Sequence, residues 1–132
     1  VKIWYDETEV SYKNLLGVFI QSMNPTDPYG QFADRGSQYL GAIFYASDEE
    51  KQLATKLLSE LDKSNIFESQ VAIKLLPQAD FYEAEEYHQE YYKKNKLHYK
   101  AYRRGSGRAP FLEKIWTQDN INKLNEILSK LQ

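Results

Sequence analysis

Two serines, each followed by apolar residues at helical spacing, set the frame of this chain. Ser11 precedes Tyr12, Leu15, Leu16, Phe19, Ile20 and Met23. A serine oxygen can accept from the free amides of a first helical turn, so Ser11 reads as the cap of an amphipathic helix. Ser47 precedes Asp48, Glu49 and Glu50, a capping box with Ser at the cap and Glu three residues on. Its helix carries Leu53, Ala54, Leu57, Leu58 and Leu61 on one face. Around these helices lie three strand-like runs. Val1, Ile3 and Tyr5 alternate with Lys2 and Trp4; Leu40 to Tyr45 is a short apolar run; Val71, Ile73 and Leu75 alternate until Pro77 stops them. The order strand, helix, strand, helix, strand, then helices predicts an α/β layered domain.

Three strands are few for a sheet that carries helices. Val1 opens inside the first of them, so the expectation is a domain incomplete at its N-terminus, with further strands upstream. Downstream, Glu83 to Tyr92 reads as helical, with Tyr87, His88, Tyr91 and Tyr92 on one side. A basic, glycine-containing loop follows, and Ile121, Leu124, Leu128 and Leu131 form a terminal amphipathic helix.

Composition narrows the functional classes. At 132 residues the chain holds one domain. Its 17 Lys+Arg against 19 Asp+Glu leave a formal charge of -2, which argues against a globally basic nucleic-acid binder. No apolar run approaches the about 18 residues of a membrane span, and Val1 to Tyr5 reads as strand rather than as a secretory leader. The sequence has no cysteine, which excludes disulfides, thiolate metal sites and thiol chemistry carried by these residues.

Three segments are candidates for chemistry. Asp34-Arg35-Gly36-Ser37-Gln38-Tyr39 ends a long loop that opens at Asn24-Pro25-Thr26. A carboxylate and a phenol at such a loop end can bind a polar oxygen or an ordered water. The plainer reading is a turn in which Gly36 supplies a permissive φ and Tyr39 packs. In Phe81 to Gln89, Glu85 and His88 lie at i and i+3, one helical face. That spacing suits an acid/base pair or two metal ligands, but His98 is the only other histidine, so no metal is expected. The plainer reading is an acidic helix start with an aromatic face packed inward. Tyr91 to Arg108 carries seven Lys and Arg, no acid, and interleaved tyrosines. Such a run can bind single-stranded nucleic acid. The four glutamates just upstream cancel much of its field, and an intramolecular wrap or a solvated face is the better account.

Taken together, these segments resemble the A-type peptide methionine sulfoxide reductases. Val1 to Asp6 with the Ser11-Tyr12 helix start is similar to that family's strand and following helix. Asp34-Arg35-Gly36-Ser37-Gln38-Tyr39 running into Ala42-Ile43-Phe44-Tyr45 resembles its Asp-x-Gly-Thr-Gln-Tyr signature, with Ser37 in the threonine place. Phe81-Tyr82-Glu83-Ala84-Glu85-Glu86-Tyr87-His88-Gln89 resembles its Phe-Tyr-x-Ala-Glu-x-Tyr-His-Gln segment, with Glu83 where proline is common. Tyr99 to Trp116 is similar to an extension found in some members. Nothing matches the family's Gly-Cys-Phe-Trp nucleophile motif, and a resolving cysteine is absent too.

The resemblance implies a ferredoxin-like two-layer sandwich. Residues 1–95 would be the C-terminal part of the reductase-like domain, and 96–132 a basic loop and helix packed on it. It implies that Tyr39 donates a hydrogen bond to a sulfoxide oxygen and that Asp34 orients water or substrate beside it. Gly36 and Gln38 would shape that pocket, and Glu85 and His88 would hold their helix against it. Methionine sulfoxide in peptides would be the substrate, with no bound cofactor and a thioredoxin or other thiol as reductant. The cytoplasm is the favoured compartment. Lacking the thiol, these residues alone are expected to be inactive. A non-catalytic module that binds methionine sulfoxide or peptide is the alternative. A sheet lacking its first strands would expose an edge, so a dimer, a swapped assembly or a complementary fragment is expected.

Overall fold

A computed structural model describes all 132 residues. Both serine caps form. Helix α1 spans Tyr12–Ser22, and Ser11 Oγ accepts the Asn14 amide at 3.2 Å. Helix α2 spans Asp48–Lys63, and Ser47 Oγ accepts the Glu50 amide at 3.2 Å. The return bond of the capping box runs one residue further out than the motif anticipates: Glu50 Oε2 accepts from the Ala46 amide at 2.7 Å. Between the two helices lie a short antiparallel hairpin, β1 (Gly30–Gln31) with β2 (Asp34–Arg35), one 3-10 turn at Ser37–Tyr39, and strand β3 (Ala42–Tyr45).

Strand β4 (Lys74–Pro77) pairs with β3 in parallel, Ala42 opposite Lys74 and Tyr45 opposite Pro77. With α2 as the crossover this is a βαβ unit. The ladder continues at both ends, from the Lys74 amide to the Gly41 carbonyl at 3.0 Å and from the Gln78 amide to the Tyr45 carbonyl at 2.8 Å. Pro77, which has no N–H to donate, is its last strand residue. The fold is therefore mixed helix and strand, with two two-stranded sheets.

The terminal helix, labelled α6 after three shorter helices described below, spans Gln118–Lys130 and is capped by Thr117, whose hydroxyl accepts the Asn120 amide at 3.2 Å. Leu124, Leu128 and Leu131 join Leu16 and Ile20 of α1, Ile43 of β3, Ala54, Leu57 and Leu61 of α2, and Ile66 in one buried cluster. Ile20, Leu57, Leu61 and Leu124 are fully buried, each contributing roughly 1.5–3 kcal/mol by burial. Gly17 lets the helices approach closely, since a Cβ there would stand 2.7 Å from Leu128 Cδ1.

Three expectations from the sequence are corrected. Val1 to Tyr5 is not a strand: no backbone hydrogen bond joins it to either sheet. Alternation alone gives no ladder, and here Val1 and Trp4 lie exposed, with the Lys2 ammonium 4.7 Å from the Trp4 ring centre. Glu83 to Tyr92 is not a helix either. Residues 81–90 are loop and turns, Glu90 takes a left-handed φ of 52°, and helix α3 covers only Tyr91–Lys94. A short helix depends on a packed face. The expected face of Tyr87, His88, Tyr91 and Tyr92 is not buried, with Tyr87, His88 and Tyr92 exposed, and Glu86 and Glu90 repel each other at i,i+4. The basic stretch, in turn, is not a loop. It forms helix α4 (Lys96–Gly105) and opens helix α5 (Arg108–Ile115).

Candidate functional site

The loop after α1 is held by its own side chains. Asn24 Oδ1 accepts from the Thr26 amide at 3.0 Å and the Thr26 hydroxyl at 2.7 Å, closing a turn at the start of the loop. Gln31 is buried, and its amide spans the loop: Oε1 accepts the Asn24 amide at 3.0 Å while Nε2 donates to the Asn24 carbonyl at 2.7 Å. Asp27 binds Arg35 through both carboxylate oxygens and accepts the Tyr29 amide at 2.9 Å. The Arg35 hydrogen bond holds the Asp27 carboxyl below its ordinary pKa, and the same contact raises that of Arg35.

These bonds fix the hairpin that presents Asp34. At Gly30 the strands come so close that a Cβ would stand 2.3 Å from the Asp34 carbonyl oxygen. Gly36 has φ 121°, a value that favours glycine. Its amide donates to the Tyr29 carbonyl at 3.0 Å, and its carbonyl accepts the Tyr39 amide at 3.1 Å, starting the turn that carries Gln38 and Tyr39. Tyr39 is 43% exposed, and Asp34 is half-buried. The hairpin and the turn after it thus carry a half-buried carboxylate and an exposed phenol close together in the chain. An ionised carboxylate accepts and a phenol donates, so such a pair suits a ligand with both an N–H and a polarised oxygen.

A second phenol arrives from far along the chain. Tyr102 of α4 donates to Asp34 Oδ1 at 2.5 Å. That hydrogen bond raises the Tyr102 phenol above its ordinary pKa, with burial and the charges of Asp34 and Tyr39 adding to it. Beyond it, Arg108 donates to the Ser22 carbonyl at 2.7 Å, and its guanidinium lies 4.6 Å from the centre of the Phe32 ring. Burial lowers the Arg108 pKa. Phe111 meets the same Phe32 ring edge-on at 5.5 Å.

Asp34, Gly36, Gln38 and Tyr39 share one hairpin and turn. Glu85 and His88 stand elsewhere. Both are exposed, joined only by the backbone bond from the His88 amide to the Glu85 carbonyl at 2.8 Å, and no helix holds them against the hairpin. His88 instead stacks on Tyr87 at 4.4 Å. The basic run is partly paired within the chain: Lys93 with Glu90, Lys94 with Glu86 and Arg104 with Glu113. Sequence reasoning noted Tyr102 and Arg108 only as members of that run. The available signal was complementarity, an acid-free helical run against a loop whose turns carry Asp27 and Asp34.

Comparison with known proteins gives the family. The sequence profile described as Peptide methionine sulfoxide reductase matches residues 1–120. The protein from Bacillus subtilis named peptide methionine sulfoxide reductase MsrA is 47% identical over 116 residues, covering 88% of this chain and 66% of its own length. The Bacillus pumilus protein of the same name is 45% identical over 117 residues, covering 89% and 66%. The Staphylococcus aureus protein named MsrA 2 is 42% identical over 120 residues, covering 91% and 68%. The chain thus spans about two thirds of the length of these relatives. With the profile running across the loop, the hairpin and the basic helices alike, the chain belongs to the A-type peptide methionine sulfoxide reductase family.

Proposed function

We propose that this chain carries the oxygen-binding side of a peptide methionine-S-sulfoxide reductase. Reduction moves the sulfoxide oxygen to a thiol, giving methionine and a sulfenic acid; a second thiol then closes a disulfide and releases water. The oxygen gains charge as the thiolate attacks sulfur, so a hydrogen-bond donor aimed at it lowers the barrier. Tyr39 is that donor. Asp34 accepts a substrate N–H or orients a water beside it, and Gly36 and Gln38 set the turn between them. The observation that supports this reading is the family match across the segment that carries Asp34 on the hairpin and Tyr39 on the turn after it. The nucleophilic thiol comes from outside these residues, which contain no cysteine, so the chain alone does not turn over. A thioredoxin or similar dithiol would regenerate the thiol, in a reducing compartment such as the cytoplasm.

In this reading, residues 1–95 belong to the reductase domain and 96–132 pack on it. Strands β3 and β4 are two strands of a larger ferredoxin-like sheet. Phe44 at 55% and Leu76 at 37% exposed support that reading, because a complete sheet would cover them. The same open surface makes a dimer or a complementary fragment the expected state in solution, which light scattering tests.

The cysteine-free sequence also supports a second reading, a binding module that keeps the sulfoxide pocket without the chemistry. Titration of the chain with N-acetyl-methionine-S-sulfoxide methylamide, followed by amide NMR shifts, tests the site common to both. The expected result is weak, S-selective binding that Tyr39→Phe weakens. Shifts that ignore Tyr39→Phe and the sulfoxide's handedness would refute the assignment.

A further inference from the structure

The Asp34 carboxylate takes a single side-chain hydrogen bond, and it comes from outside the hairpin. Tyr102 Oη donates to Oδ1 at 2.5 Å across 68 residues of sequence. The other oxygen, Oδ2, has no partner within the protein. A carboxylate fixed through one oxygen presents the other in a set direction, whereas an untethered one rotates freely. A fixed acceptor loses less entropy when it binds.

The neighbouring contacts support the same arrangement. Phe32, at the hairpin tip, holds a left-handed φ of 55°. A two-residue hairpin loop needs a positive φ there to match the twist of its strands. The ring presented by that turn packs on residues of α5, with the Arg108 guanidinium over one part and the Phe111 edge against another. Arg108 also ties the start of α5 to the end of α1 through the Ser22 carbonyl at 2.7 Å. The segment from Tyr102 to Phe111 therefore grips the hairpin at Phe32 and at Asp34.

We propose that Tyr102 is a positioning residue for Asp34, setting the carboxylate that receives the substrate while Arg108 and Phe111 hold the hairpin in register. The inference rests on the reading of Asp34 and Tyr39 as the sulfoxide site. Under it, the C-terminal segment is part of that site's construction. Tyr102 acts through Asp34 and does not itself contact the sulfoxide.

The test is a cycle of Tyr102→Phe and Asp34→Ala in the 132-residue chain, with Tyr39→Phe alongside, titrated with N-acetyl-methionine-S-sulfoxide methylamide. Retained melting temperature and dispersed amide spectra show that each variant folds. Tyr102→Phe is expected to weaken binding by about fivefold, the equivalent of one modest hydrogen bond. In the Asp34→Ala background it should change nothing, because its target is gone. An equal loss in both backgrounds would overturn the proposal, since Tyr102 would then act by another route. Wild-type affinity in Tyr102→Phe with weaker binding in Tyr39→Phe would overturn it and leave the site reading intact. Absence of binding by the wild-type chain would remove both. Phenol absorbance gives an independent readout: of the three phenols raised above the ordinary range, Tyr5, Tyr12 and Tyr102, only Tyr102 should lose its displacement in Asp34→Ala.

Discussion

Substituting Gly30 by Ala probes the hairpin at its tightest point. The new Cβ would stand 2.3 Å from the Asp34 carbonyl oxygen and 3.0 Å from Arg35 Cα. Both are backbone atoms, so no change of rotamer relieves the clash. Ordinary contact begins near ~3.5 Å, so the two strands must part by about 1 Å. The Tyr102–Asp34 bond is 2.5 Å long, and a further ~1 Å carries it to the edge of hydrogen bonding. Overpacking of this kind costs about 1–3 kcal/mol. Urea denaturation should show a lower midpoint with an unchanged slope, and the Tyr102 phenol should return toward its ordinary pKa. Gly105→Ala is the control, because a Cβ there meets nothing within 4 Å. If Gly30→Ala stays within about 0.5 kcal/mol of wild type and the Tyr102 titration is unmoved, the coupling between hairpin closure and the Asp34 site is refuted.

Other perturbations test separate parts of the structure. Leu124→Ala empties a fully buried site between α6 and the helices it covers; it should cost about 2–5 kcal/mol in urea denaturation, and a loss below about 1 kcal/mol would show that α6 is not part of the core. Ser47→Ala removes the acceptor of the Glu50 amide and should cost about 1 kcal/mol, read as a lowered midpoint. Asp27 is held below its ordinary pKa by Arg35. Its contribution to stability is therefore complete above the unfolded carboxylate value near ~3.9 and is lost as pH falls through the lower folded value. Asp27→Asn should flatten that acid limb of the stability curve, and an identical limb in both proteins would contradict the assignment.

The parts of the fold legible in the sequence were those set by local chemistry. Ser11 and Ser47 announced their helices because a cap and an apolar period lie within a few residues of one another. Leu57, Leu61, Leu124 and Leu128 reached the core that their spacing assigned them. Val1 to Tyr5 failed because alternation describes a strand only when another strand offers a ladder. Residues 83–92 failed for a related reason: the aromatic face meets only other surface rings and never reaches the buried core. Helix α4 was hidden by charge. Its Lys, Arg, Leu and Ala are good helix formers, but none of its residues is buried, so it has no core-facing stripe.

The candidate site divides the same way. Asp34, Gly36 and Tyr39 were legible because a turn gathers them within six residues. Tyr102 was not, because its bond to Asp34 spans 68 residues and leaves no local period. Glu85 and His88 illustrate the converse. Their i,i+3 spacing has meaning only on a helix, and the chain there turns instead.

The most direct test of the central claim is the intact mass of the protein as made in its own cells, with peptide mapping for cysteine. The account predicts a species heavier than 15.5 kDa that carries, upstream of Val1, a cysteine in a Gly-Cys-Phe-Trp-like segment. A native species of 15.5 kDa without cysteine would contradict it and leave the sulfoxide-binding module in its place.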